Sequence, residues 1–379
     1  MNSDMTFSSS SASSPPLSFA LAPNTPWSDT LRKTRELRLD RCIESAYNAI
    51  AGVVPPRSYS HLLLIGQYGR GDGGLLFDGE ATRLQSTVEF LLVTHTERDA
   101  TDLAPALRLV AQRLTSRCGV DVAISATTLA AVRRRRDHLS WYDAFHGYRV
   151  LIGDSRPISA LRSIVRPPTL GEGLIYLAKR GSLLLENHLL LHGANAVERL
   201  ETVQRNWTEA MIAVGDAYLL ASSLYTPRDQ ERLALISSEV QPIAQTPLRA
   251  RVIRALRARL GAQHSIPDVA YWREANAIAI HDVRVALLRL EAARRRSFSI
   301  MPEAFFSGFH SVLSPWRQVR ALARNVAQRV NPFARPREDV QVLRFAALAL
   351  RHPDPPQSEI RQYLEWLQSE TGSEGRAKG

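Results

Sequence analysis

At 379 residues and 42.3 kDa the chain is long enough for two or three domains of about 150 residues each, and 45% hydrophobic with 22% charged residues excludes a wholly disordered or collagen-like polymer. Its 48 basic against 37 acidic residues give a net charge of +11, and lysine occurs only at Lys33, Lys179 and Lys378, so 45 of the bases are arginines. Such a field favours anionic partners, nucleotides or RNA among them, although arginine with abundant alanine is also what a GC-rich genome produces. No apolar run reaches the 18 or so residues of a membrane span. Cys42 and Cys118 are too few for a disulfide scaffold or a cysteine-built zinc site, which fits a reducing cytoplasm. Asp4 and the lack of an apolar core near the start argue against general secretion. A specialised export role for the Ser-rich leader stays open.

In chain order, residues 1–28 are Ser/Pro-rich, with Pro15-Pro16, and read as a disordered leader. Leu31, Leu39, Ile43, Ala46 and Ile50 then recur at helical spacing over 29–51, and Pro55-Pro56 ends the helix. His61–Ile65, Val88–Thr94 and Val120–Ser125 are short apolar or alternating runs that predict strands, with a helix at 101–117 between the last two. Strand, helix and strand in this order predict an α/β or α+β domain over 29–160. Beyond Pro167-Pro168, three- and four-residue spacing predicts helices over 170–195, 199–224, 229–240, 247–262, 268–296, 315–330, 338–351 and 357–369. This is an all-helical domain over 168–370, followed by a disordered tail over 371–379.

The stretch with the chemistry of a binding site is Gly66-Gln67-Tyr68-Gly69-Arg70-Gly71-Asp72-Gly73-Gly74, which follows a predicted strand directly. Glycines leave backbone N–H groups free to cradle phosphate oxygens, and Arg70 adds a charged donor. A tight loop that needs glycine only for positive φ explains the same residues. No Gly-Lys-Ser/Thr follows, so it is not a P-loop. On the next strand, alternation puts Thr87 and Glu89 on one face.

These features together resemble the nucleotidyltransferase superfamily of DNA polymerase beta, and most of all its large bacterial members with a helical C-terminal half. In that superfamily a strand and a glycine-rich turn precede a strand bearing two acids. Leu64–Gly74 matches the turn, and Thr87-Val88-Glu89 stands where the acidic pair belongs. The resemblance implies a small mixed sheet, Gly66, Gln67, Gly69, Arg70 and Gly71 on the phosphates of a nucleoside triphosphate, and Glu89 with Asp121 as catalytic Mg²⁺ ligands. It would make the chain a nucleotidyltransferase acting on a hydroxyl. Two departures count against turnover. Gln67 replaces the usual turn serine, and Thr87 replaces one acid, so a neutral hydroxyl stands where a carboxylate should hold Mg²⁺. Asp72, Asp78 and Glu80 are the loop acids that could stand in. The alternative is an inactive, nucleotidyltransferase-like binding or scaffold module with a protein or RNA partner.

Other segments add to the likeness. Ser140–Asp154 looks like the segment that closes the sheet, with a final strand over Tyr148–Ile152, and His146 reads as a capping or packing residue. Ala213–Leu220, with Tyr225 and Arg232, is similar to the helical domain of these proteins, where small residues allow close helix packing and a buried acid pairs with a base, and Asp216 reads as that acid or else as lining the nucleotide cleft. Arg133–Arg136 and Arg294–Arg296 form either a basic track or solvated helix faces. Arg257 or Arg259 with His264 matches a ribonuclease-like Arg-His spacing, but 45 arginines and 10 histidines in 379 positions produce any one spacing about once by chance. His281-Asp282 and His310 lack the spacing of a metal site.

Overall fold

The computed structural model describes residues 29–78, 81–134, 138–238, 243–244, 246–260, 268–307, 337–351 and 355–376, together with positions 309, 311 and 318. The Ser-rich leader, the 315–330 helix save position 318, Glu80, Arg135, Arg136, His264, His310 and the last three residues of the tail lie outside them.

The first half is built on four strands: β1 (Tyr59–Ile65), β4 (Val88–Thr94), β5 (Val122–Thr128) and β6 (Arg149–Ile152), in the order β5-β4-β1-β6. β1 runs antiparallel to β4 and β6, while β4 and β5 are parallel. The sheet is therefore small and mixed. Leu62, Leu63, Leu64, Phe90, Leu91 and Leu92 are all buried, because both faces are covered. α1 (Asp29–Ala51) and α3 (Glu97–Cys118) pack on the side of Leu62, Leu64 and Phe90. The opposite side, with Leu63, Leu91 and Val93, meets α4 (Leu129–Arg134), α5 (Leu139–Phe145) and α6 (Ser155–Ile164).

The α3 crossover starts on a capping box that sequence inspection overlooks. Thr96 Oγ1 accepts the Asp99 N–H at 3.0 Å and Asp99 Oδ2 accepts the Thr96 N–H at 3.2 Å, so α3 begins at Glu97, four residues before the predicted start. The glycine-rich stretch is also more ordered than a loop. Gly66–Arg70 forms a single helical turn, α2, and Leu75–Asp78 (β2) with Ala81–Leu84 (β3) forms a small hairpin.

The second half is helical: α7 (Leu170–Leu191), α8 (Leu200–Ala221), α9 (Asp229–Ser237), α10 (Thr246–Leu260), α11 (Val269–Arg294), a short α12 (Pro302–Ser307), and two further helices at Arg337–Arg351 and Gln357–Arg376. Their apolar residues form one continuous core. Close approach depends on Gly215 in α8, where an added Cβ would lie 2.6 Å from Val252 of α10 and 3.2 Å from Ile236 of α9. Arg294 and Arg295 serve the fold and not a basic track. Both pair with the buried Glu291, and Arg295 also donates to the carbonyls of Ala304 and Phe305. No helix among the described residues is long and apolar enough to cross a membrane.

Candidate functional site

β1 delivers the chain to Gly66, and the β1–β4 register sets Ile65 opposite Glu89. Gly66 has φ +68°, and a Cβ there would lie 2.5 Å from Glu89 Oε1. The glycine is required twice, for its backbone angle and for the carboxylate lying over it. The turn and the second strand thus meet as the sequence reading expects. Burial pushes the Glu89 carboxyl above its ordinary range, while Arg70 and Arg180 pull against it.

Arg70 is buried and lies along Gly147, where an added Cβ would sit 2.1 Å from its Cγ. Its Nε is 3.7 Å from Asp72 Oδ2. Gly71 takes φ +81° as the cap of α2, and Tyr68 closes the turn by donating from its hydroxyl to the Gly74 carbonyl at 2.9 Å. Gln67 holds the turn to the helical half. With its amide turned so that the oxygen faces Arg259, that oxygen accepts from Arg259 Nε at 2.8 Å and Nη1 at 3.1 Å, and the nitrogen donates to Ser86.

Arg259, at the end of α10, belongs to a buried charge cluster between the two halves. It donates to Glu209 at 2.9 Å and to Asp229 at 3.4 Å. Arg180 reaches the other oxygen of Glu209 at 3.3 Å. Asp229 also accepts from Arg232 at 3.0 Å, and its backbone N–H donates to Asp72 at 3.0 Å. Arg232 lies 3.2 Å from Asp216 and 3.7 Å from Asp143, and it donates to the Tyr225 hydroxyl at 2.6 Å. Tyr225 donates in turn to Asp143 at 2.8 Å.

The Asp216–Arg232 pair is the structural reading of that acid given above. Arg70, Arg180, Arg232 and Arg259 face Asp72, Glu89, Asp143, Glu209, Asp216 and Asp229, four cations against six carboxylates. Burial and the nearby Asp229 push Asp72 up to about 6, and burial pushes Asp216 up to about 7. Asp229 is buried and Glu209 half-buried, but their arginines outweigh the desolvation and hold both low.

Asp121 is not brought into this cluster. It precedes β5, is exposed, and accepts from Arg205 of α8 at 3.2 Å. The parallel register sets Ala123 beside Glu89. Among the described residues no group of three His, Cys, Asp or Glu side chains is arranged to hold a metal ion, so the residues present around Glu89 do not fit a two-metal carboxylate site. His146 caps α5, its Nδ1 2.8 Å from the Tyr142 carbonyl. Asp282 takes a two-pronged pair from Arg251, at 2.7 Å on each oxygen.

Arg180, Glu209 and Asp229 are the site residues that sequence reading missed. No motif flags them, since each lies on a helix whose apolar spacing dominates its pattern. No protein-family model matches the chain, and no curated protein matches it.

Proposed function

We propose that the first half is a nucleotidyltransferase-like domain that no longer transfers nucleotides, and that the chain works as a binding or scaffold module with a protein or RNA partner. The observation that carries this reading is the contact of Arg259 with Gln67. The turn that would receive phosphates is held by an arginine from the chain's own helical half, and that arginine is itself neutralised by Glu209 and Asp229. The missing acid at Thr87 and the outward pairing of Asp121 with Arg205 support the same reading. Buried charge already satisfied in this way is costly to expose to an incoming triphosphate.

The test is an assay for pyrophosphate release from each of four nucleoside triphosphates with Mg²⁺, using the wild type and Thr87→Asp. The proposal expects no turnover from either. Mg²⁺-dependent turnover by the wild type would overturn the proposal, and turnover gained in Thr87→Asp would overturn the claim that Arg259 and its carboxylates close the turn to a triphosphate.

A second reading keeps an anionic ligand at the turn. Arg70 favours it, because its buried Nε has no hydrogen-bond partner among the described residues. Nucleotide binding abolished by Arg70→Ala, without turnover, would support that reading.

A further inference from the structure

Cys42 and Cys118 are the only cysteines in the chain, and the fold brings them together. Cys42 is buried on α1, Cys118 is the half-buried last residue of α3, and both line one cavity of about 360 Å³. A core residue touches about ten others, so two positions chosen at random in a chain of this length would meet about one time in forty. The same cavity is rimmed by the exposed Arg38, Arg41 and Arg117, with Glu44 the single acid in its lining. Among the described residues none of these three guanidinium groups is in an ion pair. Three open arginines around two thiols form a site for a small molecule that carries carboxylates and reacts with sulfur.

We propose that this cavity is a redox site, in which Cys118 and Cys42 close a disulfide by exchange with a small anionic disulfide held by Arg38, Arg41 and Arg117. The thiolate of the accessible Cys118 attacks one sulfur of the small disulfide. A protein–ligand mixed disulfide forms, and the first half of the ligand leaves as a thiolate. Cys42 then gives its proton to water and attacks the Cys118 sulfur, releasing the second half. Two protein thiols lose two electrons and the small disulfide is reduced to two thiols. The order follows from burial. Burial first, and the neighbouring Cys118 thiol second, push Cys42 far up, so it is a poor initiator toward a dissolved reagent and reacts only by intramolecular attack on the mixed disulfide beside it. Oxidation ties α1 to α3 beneath the sheet.

The test uses the full-length protein, reduced and freed of reductant. It is incubated with oxidised glutathione or with the neutral bis(2-hydroxyethyl) disulfide and mapped by non-reducing peptide mass spectrometry. One linked peptide pair, Cys42 to Cys118, is expected, and dithiothreitol should reverse it. After normalisation to each reagent's rate with a model thiol, the anionic reagent should react about tenfold faster at low salt. The Arg41→Gln/Arg117→Gln double variant should lose that advantage. Cys42→Ser should stop at an adduct on Cys118, and Cys118→Ser should leave Cys42 unmodified over the same period. The absence of a linked pair in the wild type, or an adduct on Cys42 in Cys118→Ser, would overturn the proposal. Equal normalised rates with the two reagents would overturn the arginine site. The wild-type map and Cys118→Ser decide the matter even if serine at the buried position 42 impairs folding.

Discussion

The carboxylate of Asp72, at the end of the glycine-rich turn, accepts the backbone N–H of Asp229 at the first position of α9, 3.0 Å away. One side chain thus caps a helix in the other half of the molecule, where an anion is favoured by the helix N-terminus. Asp72→Ala leaves a buried N–H without a partner and should cost about 1–3 kcal/mol in urea unfolding. Asp72→Asn keeps an acceptor at the same place and should cost clearly less. Equal losses would show that the charge, and not the acceptor, matters.

Arg259 serves Glu209, Asp229 and Gln67 together. Its replacement by methionine takes one of two arginines from Glu209, which keeps Arg180, and from Asp229, which keeps Arg232, and should destabilise the protein by about 3 kcal/mol, the low end for a broken buried pair. Lysine, a single point donor, cannot span all three partners and should recover only part of the loss. Chemical denaturation of the three proteins checks the ranking.

Asp216 gives a pH dependence with a definite sign. Its folded-state pKa of about 7 lies above the ordinary 3.8, so its contribution to stability is complete below the ordinary value and is lost as pH rises through about 7. Asparagine does not titrate. Between pH 8 and pH 5 the wild type should therefore gain about 3 kcal/mol relative to Asp216→Asn. A difference between the two proteins that does not change with pH would contradict the assignment.

Gly66→Ala meets both a left-handed backbone and the Glu89 carboxylate. The substitution should cost about 1–3 kcal/mol for the backbone alone, and more while Glu89 is present. In a double-mutant cycle, the added Glu89→Ala should relieve the steric part and leave the backbone part. Strict additivity would mean that the two residues do not touch.

The sequence is legible wherever a periodic pattern meets a single environment. The helices at 29–51, 170–191, 200–221 and 269–294, and the strands at Tyr59–Ile65 and Val88–Thr94, follow from spacing because each has one apolar stripe or is buried throughout. The meeting of Gly66 with Glu89 follows too, since a turn and a neighbouring strand lie close in the chain. The charge cluster does not follow. Asp72 and Asp229 are 157 residues apart, and Gln67 and Arg259 farther still, so no local pattern records that they meet. With 45 arginines, nothing distinguishes beforehand Arg70, Arg232 and Arg259, buried in the seam, and the half-buried Arg180 from those that are solvated. Asp121 misleads for a related reason. Alternation gives the face of a residue within a strand, but Asp121 lies one residue before β5, where Arg205 of the other half takes it.

The central claim, that the chain's own arginine and carboxylates have taken over the phosphate turn, is tested most directly by calorimetric titration of the wild type with ATP, GTP, CTP and UTP, each with and without Mg²⁺. The account predicts no Mg²⁺-dependent binding of any of the four. Mg²⁺-dependent binding that disappears in Glu89→Gln would contradict it.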